Sequence, residues 1–113
     1  MVNNVDGTLS ALADPTRRQI VELLQQRPRR AGELVAAFDV SAPSISRHLR
    51  VLRRSGLVTE SGIPDDARVK VYELRQEPFV ALQAWLDQVQ AFWTDQLGAF
   101  KEHVENTSKG TEK

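Results

Sequence analysis

One segment, from Ser41 to Gly56, restricts the fold more than any other part of the chain. Its sequence is SAPSISRHLRVLRRSG. Serine is a common helix N-cap, proline is tolerated in the first helical turn, and glycine commonly ends a helix. Three apolar residues recur between these signals at i, i+4 and i+7, which is the spacing of one helix face. The segment therefore predicts a helix with that face in a core; the apolar residues are Ile45, Leu49 and Leu52.

The same helix is basic. It carries four arginines and no acidic residue. At about 100° per residue, Arg47, Arg50 and Arg54 point roughly away from the apolar face, and Ser44 lies nearby at the N-terminal end. Arginine offers a forked pair of donors that suits guanine or phosphate, and serine can bond either. Two interpretations follow, a solvated basic surface or a surface that binds DNA.

Net charge alone does not decide between them, because the charge is segregated along the chain. The 113 residues have a formal net charge of zero. Residues 17–54 hold nine arginines against three acids, whereas residues 55–113 hold six bases against ten acids. Because salt screens distant charges, the local potential rather than the total determines where a polyanion docks. A DNA-binding segment is therefore compatible with a neutral chain.

The flanking patterns predict a mainly α-helical fold with one small β-hairpin. Apolar spacing predicts short helices over residues 5–12, 15–27 and 31–38, the second capped by Asp14. Residues rich in β-formers at 57–59 and 68–74 flank a turn at 62–66 and predict a hairpin. Helices three and four resemble a helix-turn-helix, and the hairpin fits a wing. The expected fold is a winged helix-turn-helix.

In such a fold, the N-terminal end of the fourth helix points at base edges. Ser44 and Arg47 are then the candidate base contacts, together with Arg50. Later on the helix, Arg53 and Arg54 are candidate phosphate contacts. Two hairpin residues complete the predicted DNA surface, Arg68 and Lys70, which are placed to meet a neighbouring backbone or minor groove.

The C-terminal segment predicts one long helix from residue 78 to about 104, before a polar tail from 106 that we expect to be disordered. Its apolar residues recur at steps of three and four and form a continuous stripe. We favour a dimer interface over an apolar ligand pocket between subunits, since homodimer interfaces are rich in apolar and aromatic residues. The predicted interface comprises Leu9, Leu82, Trp85, Leu86, Val89, Phe92, Trp93, Leu97 and Phe100. Residues 1–105 would form a single domain.

Three blocks carry a family resemblance: LADPTRRQIVELL, GELVAAFDVSAPSISRHLRVLRRSGLV and RVKVYEL. Over about residues 5–75 the chain resembles the ArsR family of bacterial winged-helix repressors. The resemblance implies a homodimer joined by its first and last helices, and a palindromic operator that is often the repressor's own promoter. The family's recognition-helix pattern maps onto Ser41, Ala42, Ser44, Ser46, Arg47, His48 and Arg50. Ala42 and Arg47 depart from the family, where a polar residue and a histidine are common.

The resemblance is to the branch of the family without a cysteine metal site. Metal-sensing members carry Cys-x-Cys on the third helix, at the positions of Val35 and Ala37 here. A second family site uses aspartate and histidine on the last helix, and this chain has only two histidines, His48 and His103. With no cysteine present, a disulfide and a thiol nucleophile are also excluded. We expect no metal and no cofactor.

The sequence thus predicts a cytoplasmic, homodimeric repressor that binds double-stranded DNA. A winged-helix module that binds an acidic protein partner is the alternative, because fold does not fix function. An enzyme has little support, since no nucleophile–base pairing or phosphate-binding loop is visible. No apolar run is long enough for a membrane span. An unidentified small-molecule effector remains open.

Overall fold

The computed structural model describes residues 4–63 and 66–111. In these residues it contains five helices and three strands, in the predicted order of helix-turn-helix and hairpin. The elements are α1 (Asn4–Ala11), α2 (Pro15–Gln26), β1 (Arg29–Arg30), α3 (Ala31–Ala37), α4 (Ala42–Arg54), β2 (Val58–Ile63), β3 (Asp66–Leu74) and α5 (Glu77–Thr111). The chain divides into two compact units, Met1–Leu82 and Gln83–Lys113. The mainly helical winged fold is confirmed.

Local signals set the ends of α2, as predicted. The Asp14 side chain accepts hydrogen bonds from the backbone N–H groups of Thr16 at 2.8 Å and Arg17 at 3.1 Å. Pro15 occupies the first helical position, where its missing N–H leaves no bond unmade. At the other end Arg27 is already extended, because the residue before a proline disfavours helical geometry.

Helix α4 also begins and ends at the predicted signals. The Ser41 hydroxyl accepts the backbone N–H of Ser44 at 3.2 Å. At the C-terminus Gly56 has a φ of 78°, a conformation that glycine adopts without steric cost. The backbone N–H of Gly56 donates to the Arg53 carbonyl, and that of Leu57 to the Leu52 carbonyl, both at 3.0 Å. This pair of bonds is a Schellman motif, which satisfies the last carbonyls and turns the chain toward β2.

The sheet has one strand more than the sequence predicted. Its order is β1-β3-β2, and both pairings are antiparallel. Strand β1 is only two residues long and pairs with Tyr72 and Val71 of β3. The hairpin strands extend further than expected, so Gly62, Ile63 and Asp66 belong to strands rather than to the predicted turn. The remaining turn residues, 64 and 65, lie outside the described residues.

Side chains from α1 to β3 make up one hydrophobic core in the first unit. This core includes the apolar face of α4, as the sequence predicted. The buried apolar residues are Ala11, Ile20, Leu24, Leu34, Ile45, Leu49, Leu52, Leu57, Val58 and Tyr72. Helix α1 buries Thr8 and Ala11, whereas Leu9, a predicted interface residue, is 41% exposed in the single chain. Small residues on α1 therefore pack into the core, and Leu9 remains on the surface.

Helix α5 is longer than predicted and ends at Thr111 rather than near Val104. No proline interrupts the polar segment from residue 106, so the helical backbone continues through residues for which we expected disorder. Residues 112 and 113 lie outside the described residues. Nowhere in the described ranges is a helix both long and apolar enough to cross a membrane.

Candidate nucleic-acid interface

The outer face of α4 is an exposed basic surface. Arg47, Arg50 and Arg54 are all exposed, as predicted from the helical wheel. Within residues 4–63 and 66–111, none of the three forms an ion pair or a hydrogen bond through its side chain. Since the opposite face is fixed in the core, these three guanidinium groups are presented to solvent on a rigid helix. We call Ser44 and these three arginines the α4 basic face.

The N-terminal end of α4 offers small polar groups beside the first of these arginines. Ser44 is half-buried, whereas Ser41, Ala42 and Ser46 are exposed. The Ser41 hydroxyl already accepts the Ser44 N–H as the helix cap, so its role in the structure is local. Ser44 lies three residues, or roughly one turn, before Arg47, and Ser46 lies four residues before Arg50, so both serines border the three arginines.

His48 does not belong to the α4 basic face. Its ring is half-buried, with Nδ1 at 3.3 Å from Nη1 of Arg17 and Nε2 at 4.0 Å from Oδ1 of Asp14. One residue along a helix turns the side chain by about 100°, which carries His48 from the outer face toward α2. His48, which the recognition-helix pattern includes, therefore contacts protein residues at the start of α2.

Those partners belong to a small network around the α1–α2 turn. Arg17 donates from Nε to the Ala11 carbonyl at 2.6 Å, and so ties α2 to the end of α1. The backbone N–H of Arg17 lowers the pKa of Asp14, with a further contribution from His48. This network joins the end of α1, the N-terminal end of α2 and the middle of α4. Nothing in the sequence pattern distinguished Arg17 from the other arginines.

Arg53 also leaves the outer face, although the sequence grouped it with Arg54. Its Nη1 lies 3.2 Å from Oε2 of Glu60 on β2. The same carboxylate accepts the Tyr72 hydroxyl at 2.9 Å and lies 3.8 Å from Nζ of Lys70. Burial and this hydrogen bond to a carboxylate raise the pKa of Tyr72 to about 12, so its hydroxyl stays protonated as a donor.

This Glu60 cluster was not found from the sequence. Glu60 and Tyr72 are paired across β2 and β3, and Lys70 is two residues away on the same face of β3. A hairpin register would have predicted the contact, but the sequence left the register undetermined. The structure thus brings Arg53 and Lys70 together through one carboxylate. Arg68, the other predicted hairpin residue, is exposed on β3.

A groove of about 600 Å³ runs along the C-terminal half of α4 and the start of β2. Four arginines line it, together with Val58, Thr59 and Glu60; the arginines are Arg50, Arg53, Arg54 and Arg75. Sequence reasoning missed Arg75, whose Nε lies 3.6 Å from the exposed carboxylate of Glu77. The groove extends the positive surface of α4 toward the sheet.

The aromatic stripe of α5 is exposed in the single chain. Trp93, Leu97 and Phe100 have 58%, 61% and 66% of their surface accessible. Phe92 packs edge-on against Trp93, with ring centroids 6.1 Å apart. Of the other predicted interface residues, Trp85 and Leu86 are exposed, and Leu82 and Val89 are half-buried. An apolar face of this size is unusual on a monomer's surface.

No candidate metal centre emerges from the described ranges. No group of three or more His, Asp or Glu side chains in them is arranged to hold an ion. The third-helix positions that carry cysteines in metal-sensing relatives hold a half-buried valine, Val35, and an exposed alanine, Ala37. Neither side chain can donate to a metal.

Comparison with known proteins gives one consistent result. The model of a bacterial regulatory protein family, the arsR family, matches residues 14–60. The HTH-type transcriptional regulator Rv2034 of Mycobacterium tuberculosis is 38% identical over 94% of this chain and 94% of its own length. The transcriptional repressor SdpR of Bacillus subtilis is 39% identical over 52% of this chain and 62% of its own. The crystal structure of the ArsR family transcriptional regulator RHA00566 has a TM-score of 0.74 at 35% identity, covering 81% of this chain and 98% of that one.

Proposed function

Because this chain belongs to the ArsR family of bacterial regulatory proteins, we propose that it is a homodimeric repressor acting at a palindromic operator. Membership makes it a DNA-binding transcriptional regulator and not an enzyme. The dimer and the symmetric operator are supported by the geometry of the two surfaces described above. Repression agrees with the names of relatives such as SdpR, which is a transcriptional repressor.

The observation that carries the proposal is the α4 basic face. It combines three exposed arginines that pair with no described side chain, a rigid apolar anchor beneath them, and a capped N-terminus. In this arrangement Ser44 and Arg47 contact bases in the major groove, and Arg50 contacts a base or a phosphate. Arg54, further along the helix, binds phosphate. Since His48 and Arg53 have protein partners, we propose that their main role is to hold α4 in place.

The wing contributes cations from β3. Arg68 and Lys70 are both exposed at alternate positions of the same strand, so they lie on one face of the hairpin. We propose that this face meets the DNA backbone beside the major groove occupied by α4. The contact would be independent of base sequence, because phosphates carry no sequence information.

Dimerisation is proposed to occur through α5, with Leu9 of α1 contributing. The exposed aromatic and aliphatic stripe has the composition of a homodimer interface, and a second copy of this chain offers an identical stripe. Two recognition helices would then enter successive major grooves about 34 Å apart, which requires an operator with two-fold symmetry. The same stripe could also enclose an apolar effector between the subunits. The protein would act in the cytoplasm, where its DNA lies.

A salt titration distinguishes this function from an interaction module that binds an acidic protein partner. The probes are a DNA fragment from the protein's own upstream region and a scrambled fragment of equal length. We expect a steep fall of affinity with salt for both, and a preference of at least about 10³ for the upstream fragment if the protein regulates itself. A steep slope with no preference for this or any other genomic fragment would favour the protein-interaction module.

A further inference from the structure

Glu60 is the one acidic side chain that the described structure places against the cations of both α4 and the wing. Its carboxylate is 3.2 Å from Nη1 of Arg53 and 3.8 Å from Nζ of Lys70. The side chain of Glu60 is only 19% exposed, whereas those of Arg53 and Lys70 are 48% and 46% exposed. The acid is therefore sheltered between the two elements, and both cations still reach solvent.

A third contact fixes the carboxylate in position. The Tyr72 hydroxyl donates to Oε2 of Glu60 at 2.9 Å from the directly paired position on β3. Tyr72 is buried in the core, so its hydroxyl is held rigidly. Glu60 cannot swing away from Arg53 and Lys70 without breaking this bond. The two cations, in contrast, are on long flexible side chains and can exchange partners.

A carboxylate and a DNA phosphate bind arginine and lysine in the same way, through charge-assisted hydrogen bonds to anionic oxygens. Lys70 lies on the wing face that we propose meets the DNA backbone, and Arg53 is on the flank of the recognition helix next to it. In the free protein both cations are bound to Glu60. A phosphate that approaches either cation must therefore compete with this carboxylate.

We propose that Glu60 is a built-in competitor for DNA phosphate, which weakens the sequence-independent part of binding to any DNA, the operator included. The proposal rests on the DNA-binding function stated above. Sequence-independent affinity comes almost entirely from phosphate contacts, which are the contacts that a competing anion weakens. Base contacts by Ser44 and Arg47 lie at the other end of α4, with Arg47 about 9 Å along the helix axis from Arg53.

The test is the substitution Glu60→Gln, which removes the charge but retains an oxygen that accepts the Tyr72 hydroxyl. One or two phosphate contacts are gained. Because each phosphate contact adds about 0.9 to the slope of log affinity against log salt, the slope should steepen by about 1 to 2. Scrambled DNA should bind about 3- to 10-fold more tightly near 0.1 M salt. Operator affinity should rise by the same factor, so the ratio of operator to scrambled affinity should stay unchanged.

Glu73→Gln is the matched control. Glu73 is exposed on β3, next to Tyr72, so its side chain points to the opposite face of the hairpin from the Glu60 cluster. This variant removes the same charge from the same sheet without releasing Arg53 or Lys70. We expect its salt slope to equal that of the wild-type protein. In a second control, Glu60→Gln combined with Arg53→Gln and Lys70→Gln should lose the gain in affinity.

Several results would overturn the proposal. An unchanged slope for Glu60→Gln, or an equal rise for Glu73→Gln, would show that the carboxylate does not compete locally. Weaker operator binding by folded Glu60→Gln protein would show that Glu60 serves to position the wing. If Glu60→Gln fails to fold, Glu60→Met with Tyr72→Phe removes both polar partners together and gives the same test. A failure of the proposed DNA-binding function can be distinguished from a failure of the Glu60 proposal, because the wild-type protein would then prefer no DNA fragment.

Discussion

Trp93→Glu should convert the proposed dimer into folded monomers. Trp93 exposes 58% of its surface in the single chain and lies at the centre of the α5 stripe. A buried aromatic side chain removes about 150–250 Å² from water, so covering this fraction in a dimer removes about 90–145 Å² per subunit. At about 25 cal/mol per Å², two copies contribute about 4–7 kcal/mol. This is an upper limit, because ordering side chains at an interface opposes association.

Loss of this contribution, with two carboxylates added, should raise the dimer dissociation constant by about 10³. Sedimentation over a range of concentrations measures the change, and circular dichroism establishes that the helices remain. Operator affinity should fall together with dimerisation, since one recognition helix contacts only half of a symmetric site.

Ala91→Glu is the control, because it places the same charge at an exposed position of α5 about 160° around the helix from Trp93. It should remain dimeric. If Trp93→Glu sediments as a dimer wherever the wild-type protein does, the stripe is not the interface. If both variants dissociate equally, the effect is one of net charge on α5.

Two further predictions concern the N-terminal caps of α4 and α2. Ser41→Ala removes the hydroxyl that accepts the Ser44 N–H at 3.2 Å, and should lower the free energy of unfolding by about 0.5–2 kcal/mol in a urea titration; an unchanged midpoint would show that this cap contributes nothing. For Asp14, the Arg17 N–H lowers the pKa of the carboxyl in the folded state. Its stabilisation is therefore complete above the unfolded pKa of about 3.9 and is lost as the pH falls through the lower folded value. Asp14→Asn, which can still cap α2, should reduce the loss of stability in urea titrations between pH 5 and pH 3. An unchanged pH dependence would contradict that assignment.

The ends of α2 and α4, and the two faces of α4, could be predicted from the sequence because their causes are local. A cap residue acts within three positions of itself, as Asp14 and Ser41 do. Gly56 likewise ends α4 through bonds to carbonyls within the preceding turn. The inward face follows from a periodicity that needs no knowledge of the partner surface. These features were sufficient for the fold class and for the α4 basic face.

The features that were missed depend on contacts between distant parts of the chain. Strand β1 is two residues long and exists because β3 pairs with it, so no pattern of its own marks it. Arg53 pairs with Glu60, and His48 contacts the start of α2. Both contacts follow from the way α4 packs against the sheet and against α2. On α1 the sequence placed Leu9 in the dimer interface but did not identify the residues that enter the core, which are Thr8 and Ala11.

The central claim is that the α4 basic face recognises a DNA sequence. Arg47 and Arg50 are exposed and pair with no described side chain, so replacing both with alanine should leave fold and dimer intact. Footprinting of the double variant on the operator, at a fixed salt concentration, tests the claim most directly. We predict that protection of the operator disappears at wild-type saturating concentrations, with at least about a tenfold loss of affinity for each arginine in a good bidentate contact. Unchanged protection by a folded, dimeric double variant would contradict the account.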